Sequence, residues 1–123
     1  MAQPQLKFQP KVMSASTLTG DSVVNMQNED LGKIEHIMLD LATGRVAYAV
    51  LSFGGFLGVG NKLFAIPLNS LSVDTENHQL VLNVEKRLLE KAPGFDEQNW
   101  PDMADRTWAT KINNYYGAKP YWE

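Results

Sequence analysis

Arg45-Val46-Ala47-Tyr48-Ala49-Val50-Leu51-Ser52, Phe53-Gly54-Gly55-Phe56-Leu57-Gly58-Val59-Gly60-Asn61 and Lys62-Leu63-Phe64-Ala65-Ile66-Pro67-Leu68 follow one another without a break. The first and third runs are rich in β-branched and aromatic residues at strand length, and Pro67 closes the second of these strands. Between them, four glycines (Gly54, Gly55, Gly58 and Gly60) alternate with Phe56, Leu57 and Val59. That composition describes a structural loop that turns sharply and still buries apolar side chains. Phosphate-binding glycine loops open a helix, whose N-terminal amides hold the anion. Here a strand follows, so the loop reads as packing at a barrel mouth.

Upstream, Ser22-Val23-Val24-Asn25-Met26 reads as a strand, and Gln27-Asn28-Glu29-Asp30 as the turn into Leu31–Asp40. The apolar positions of that second strand break parity: Ile34 alternates one way, Ile37 and Leu39 the other. A single bulge near Glu35-His36 reconciles them, because one extra residue flips the facing of all that follow. Asp40-Leu41-Ala42-Thr43-Gly44-Arg45 reads as a hairpin turn. Downstream of Pro67, Leu71–Asp74 and Gln79–Leu82 are two shorter strands joined by the polar turn Thr75-Glu76-Asn77-His78.

The pattern changes at Asn83, which can cap a helix running to Lys91 with Val84, Leu88 and Leu89 on its apolar side. Ala92-Pro93-Gly94 stops it. A second helix is expected from Arg106 to Tyr116, capped by Asp105 and ended by Gly117 and Pro120, with Trp108, Ile112, Tyr115 and Tyr116 at spacings of three and four. The expected organisation is a flexible arm over 1–15, a barrel domain over 16–95 and an aromatic helical tail over 96–123. The fold class is mainly β: a small, partly open β-barrel with short C-terminal helices.

Length and charge limit what such a fold does. A chain of 123 residues holds one small core. Its net charge is −3, and no basic stripe offers the counterion release that drives direct nucleic-acid binding. The absence of cysteine excludes disulfides and thiolate chemistry. No run reaches the roughly 20 apolar residues of a membrane-spanning helix, and Met1–Phe8 lacks the apolar core of a secretory signal. A cytoplasmic location is the expectation.

In order and spacing, Leu31–Asp40, Thr43–Val50, Gly54–Gly60 with Ala65-Ile66-Pro67, and Leu89–Phe95 resemble the PRC-barrel family, named for the cytoplasmic domain of the photosynthetic reaction-centre H subunit. The tail from Trp100 to Trp122 looks like that of free-standing bacterial members. The resemblance implies a partly open barrel used as an adaptor, in a family that is not enzymatic in general. One departure is His36, at a position where many members carry an acidic residue. The implied role is a binding or assembly module with a protein partner or a second copy of itself. A ribosome maturation factor in the same family suggests an RNA-associated alternative, and the charge balance counts against direct RNA contact.

No catalytic, cofactor-binding or metal-binding residue is assigned, and no small-molecule substrate is identified. His36 and His78 are the only histidines. His36 has Glu35 and Asp40 near it in sequence, which would suit a small metal-dependent enzyme. On a regular strand, however, Glu35 and His36 face opposite ways. The aromatic distribution says more. Trp100, Trp108 and Trp122, with Tyr115, Tyr116 and Tyr121, all lie after position 99. Together with Ile112 they are the candidate packing and interaction residues, covering either the chain's own barrel or, in a homodimer, a partner's.

Overall fold

Among the described residues six strands form where the strand signals stand: β1 (Ser22–Val24), β2 (Asp30–Asp40), β3 (Arg45–Phe53), β4 (Lys62–Pro67), β5 (Leu71–Asp74) and β6 (Gln79–Leu82). This computed structural model describes residues 11–53 and 62–123. The expected loop at Gly54, Gly55, Gly58 and Gly60 lies outside the described residues. The helices are α1 (Ala15–Leu18), α2 (Lys86–Glu90) and α3 (Arg106–Tyr116).

The strands form one mixed sheet in the order β4-β3-β2-β1-β6-β5, parallel only between β1 and β6. β4 and β5 stand at opposite ends of that order, yet only Leu68–Ser70 separates them in sequence. Three residues reach about 10 Å at most. The sheet therefore curls until its two edges nearly meet, which makes a half-barrel. Its concave side buries Val23, Leu31, Ile34, Leu51, Phe64 and Leu82.

The expected bulge is present. Ile34 opposes Leu51 and His36 opposes Val50, so Glu35 is the extra residue of β2. A second irregularity was not legible in the sequence: Met38 opposes Tyr48 and Leu39 opposes Val46, which leaves Ala47 as an extra residue of β3. Ile37 packs on the inner core as expected. Leu39 was expected inside with it, and the second shift leaves it 57% exposed.

Where β2 passes β3, Gly32 takes φ +115°, and a Cβ there would stand 2.1 Å from the Ser52 carbonyl oxygen. Only glycine permits that approach. At the other end of β2, Gly44 (φ +76°) completes the hairpin turn, in which Asp40 Oδ1 accepts from the Ala42 amide at 2.9 Å.

The first expected helix is corrected. It begins at Lys86 with Glu85 at the cap position, not at Val84 with Asn83 as cap. The buried Asn25 side chain donates to the Val84 carbonyl at 3.2 Å, and the Val84 amide donates to the Leu82 carbonyl at 2.8 Å. Both bonds hold Val84 out of a helix. Leu89 is fully buried, whereas Leu88, expected beside it, is 47% exposed. α3 keeps its expected bounds. Asp105 accepts from the Thr107 amide at 2.9 Å, and Gly117 caps the C-terminus. α1, capped by Ser14, was not expected.

Candidate functional site

A strand with one solvated face alternates in burial; one covered on both faces does not. From Ala47 to Phe53, and from Leu63 to Pro67, every residue is buried. Ala49, Leu51, Phe64 and Ile66 face the inner core. Tyr48 and Ala65 lie on the convex face, where Ala109 and Ile112 of α3 complete a second core. The C-terminal tail is thus the second layer over β3 and β4 of its own chain.

The approach to that layer begins at Phe95, whose amide donates to the Leu63 carbonyl at 2.8 Å and whose carbonyl accepts from the Leu63 amide at 2.9 Å. This short bridge pairs β4 with the returning chain. Trp100 then packs on the Phe95 ring, centroids 4.9 Å apart, and meets the His36 ring edge-on at 5.3 Å.

The candidate aromatic residues separate by position. Trp108 stands edge-on to the Tyr48 ring at 5.3 Å and is half-buried, while Ile112 is 1% exposed. Tyr116 packs against both cores with its hydroxyl buried, and burial pushes its phenol well above the ordinary pKa. Tyr115, expected on the buried face, is 39% exposed; its hydroxyl donates to the Leu88 carbonyl, and its ring meets Tyr116 edge-on. Tyr115, three residues on from Ile112, falls about 60° short of a full turn and lies past the edge of the stripe that Ile112 centres. Tyr116, four on, falls only about 40° to the other side.

Beyond α3, Tyr121 donates its hydroxyl proton to Asp40 Oδ2 at 2.7 Å, and its carbonyl accepts from the Arg45 guanidinium at 2.9 Å. Removal from water, then the bond to Asp40, pushes the Tyr121 phenol up to about 12. The same bond is the main cause holding the Asp40 carboxyl below its ordinary value. Trp122 lies under the Arg106 guanidinium, 4.0 Å from the ring centroid. Tyr48 is the buried centre of this region. Its hydroxyl makes no hydrogen bond of ordinary geometry, and burial raises its pKa, with Asn113 and Arg106 acting in the opposite direction.

On the concave side a groove of about 470 Å³ opens between β2 and the β5–β6 end of the sheet, lined by Met13, Leu18, Ile37, Leu68, Leu71 and Leu80 among others. The sequence did not reveal it, because its walls come from α1, β2, β5 and β6, joined only by the curl of the sheet.

The PRC-barrel domain matches residues 10–89, a span that contains the whole six-stranded sheet. The chain belongs to the PRC-barrel family. No curated protein is significantly similar to it. The PRC-barrel match stops at Leu89, ahead of every aromatic residue of the tail. The tail is therefore an addition that buries the convex face of the PRC barrel, and the groove belongs to the matched part. Among the described residues no helix is long and apolar enough to cross a membrane.

Proposed function

We propose that this PRC-barrel protein is a non-enzymatic binding and assembly module of the cytoplasm that takes a protein partner at the groove on its concave side. The carrying observation is the division of its apolar surface. Trp108, Ile112, Tyr116 and Tyr121 are turned onto the chain's own barrel, which leaves the groove between Leu18, Ile37, Leu68 and Leu71 as an apolar concavity. A concave apolar site rimmed by polar residues such as Asn69 suits an apolar side chain presented by another polypeptide. Members of the family are in general not enzymes, and the reading follows that rule. The net charge of −3 supports a protein partner over a nucleic acid.

The test places a photo-crosslinking amino acid at Asn69, on the groove's lip, in the full chain inside cells. A discrete protein adduct that disappears when Leu71→Glu is added supports the reading. An adduct only to a second copy of the chain makes the partner a homodimer subunit. The same adducts with and without Leu71→Glu, or none, would contradict a partner at the groove.

A further inference from the structure

The bulge in β2 has a chemical result. On a regular strand Glu35 and His36 point to opposite faces; with Glu35 as the extra residue, their side chains converge instead. Glu97 reaches the same place from the segment after the Phe95 bridge, where the Asn99 amide donates to the Asp96 carbonyl at 3.1 Å and closes a turn around it. One imidazole nitrogen of His36 and one carboxylate oxygen each from Glu35 and Glu97 lie within 4.8 Å of one another. The His36 Nε2 is buried and has no hydrogen-bond partner. A buried nitrogen left without a partner is unfavourable, and this imidazole and the two carboxylates that converge with it can share a cation.

We propose that Glu35, His36 and Glu97 form a binding site for a first-row divalent transition-metal ion of the Zn²⁺ type, which fastens the start of the tail to the bulge of β2. The donor set selects the metal. Imidazole suits zinc and its neighbours, whereas calcium takes six or more oxygens and magnesium a nearly ideal oxygen octahedron. Two carboxylates and one neutral imidazole balance a divalent charge, and water fills the remaining positions, as at three-ligand zinc sites.

Zinc–ligand bonds of about 2.0–2.2 Å place tetrahedral donors roughly 3.4 Å apart. The side chains therefore close inward on loading, and exposed Glu97, on its turn, is the one free to move. The site lies beside Trp100, whose ring meets His36. A bound ion would hold residues 95–100 against β2 in addition to the Phe95 bridge. This site is independent of the groove and of any partner there.

Calorimetric titration of the chelator-stripped full chain with Zn²⁺ tests the proposal, with Co²⁺ absorption as the spectroscopic readout. Saturable one-to-one binding is expected at sub-millimolar Zn²⁺. Glu97→Gln, a surface change that leaves the core untouched, and His36→Gln should each lower the affinity at least tenfold. His78→Gln, at the other histidine, should leave it within threefold. No saturable binding by the parent up to 1 mM Zn²⁺ (roughly the weak-site limit), or a loss in Glu97→Gln of less than tenfold, overturns the proposal.

Discussion

The Tyr121 hydroxyl donates to Asp40 Oδ2 at 2.7 Å, which ties the end of the chain to the hairpin turn between β2 and β3. The bond needs Asp40 ionised and Tyr121 protonated, and each group's pKa moves in the direction that keeps it so. Asp40, lowered from 3.8, contributes stability that is present above that value and is lost as pH falls through its folded pKa. Tyr121, raised from 10.0 to about 12, contributes stability present below pH 10 and lost as pH rises toward 12. Tyr121→Phe should therefore lower Tm at pH 7. The difference from the parent should shrink in melts below pH 3.8. An unchanged difference at pH 2.5 (roughly a unit below that ordinary value) would mean that the phenol acts through packing alone.

Ile112→Ala removes a side chain that is 1% exposed at the centre of the second core, and should cost about 2–5 kcal/mol in urea melts. Trp108 is only half-buried, so Trp108→Ala should fall at or below the lower end of the about 3–5 kcal/mol typical of buried aromatic truncations. Tyr115→Ala, on the exposed side of the same helix, should cost clearly less than Ile112→Ala.

Gly32 and Gly44 both have positive φ, but only Gly32 faces an obstacle, the Ser52 carbonyl oxygen. Gly44→Ala meets open space and should cost only the roughly 1–2 kcal/mol of a left-handed alanine. Gly32→Ala must push apart β2 and β3, and should exceed about 3 kcal/mol or abolish soluble expression. Comparable melts for the two variants would remove the close approach as the reason for glycine at 32.

Removing residues 100–123 should uncover the convex face of β3 and β4 around Tyr48 and Ala65. Large exposed apolar patches promote association, so light scattering should report aggregates in the truncated chain. A soluble, monomeric barrel with the parent's melting curve would show that the tail is not a structural layer.

Much of this was legible in the sequence because the signals were local. The six strands, the Glu35 bulge, and α3 with its Asp105 and Gly117 caps follow from periodicity and capping residues within a few positions. What escaped depends on distant partners. Asn83 is a good cap by type, yet Asn25, far upstream, takes the Val84 carbonyl and delays α2. Alternation cannot show the extra residue at Ala47, since its cause lies in how β3 pairs with β2. Tyr115 shares the helical spacing of Trp108 and Ile112, but the width of the barrel face decides which of them is covered. Glu35 and His36 face opposite ways on a regular strand, and the bulge at Glu35 is what brings their side chains to one place.

The tail is a layer of the same molecule's fold. All three tryptophans lie in the tail, so their fluorescence follows the tail, while the methyl NMR signals of Leu31, Ile34 and Leu82 in the inner core follow the sheet. Urea unfolding recorded by both probes, over a hundredfold range of protein concentration, separates such a layer from a free or exchanged arm. A tail packed on its own barrel gives a single midpoint shared by both signals and unchanged by concentration. A tryptophan transition that precedes the loss of the sheet, or a midpoint that rises with concentration, would contradict it.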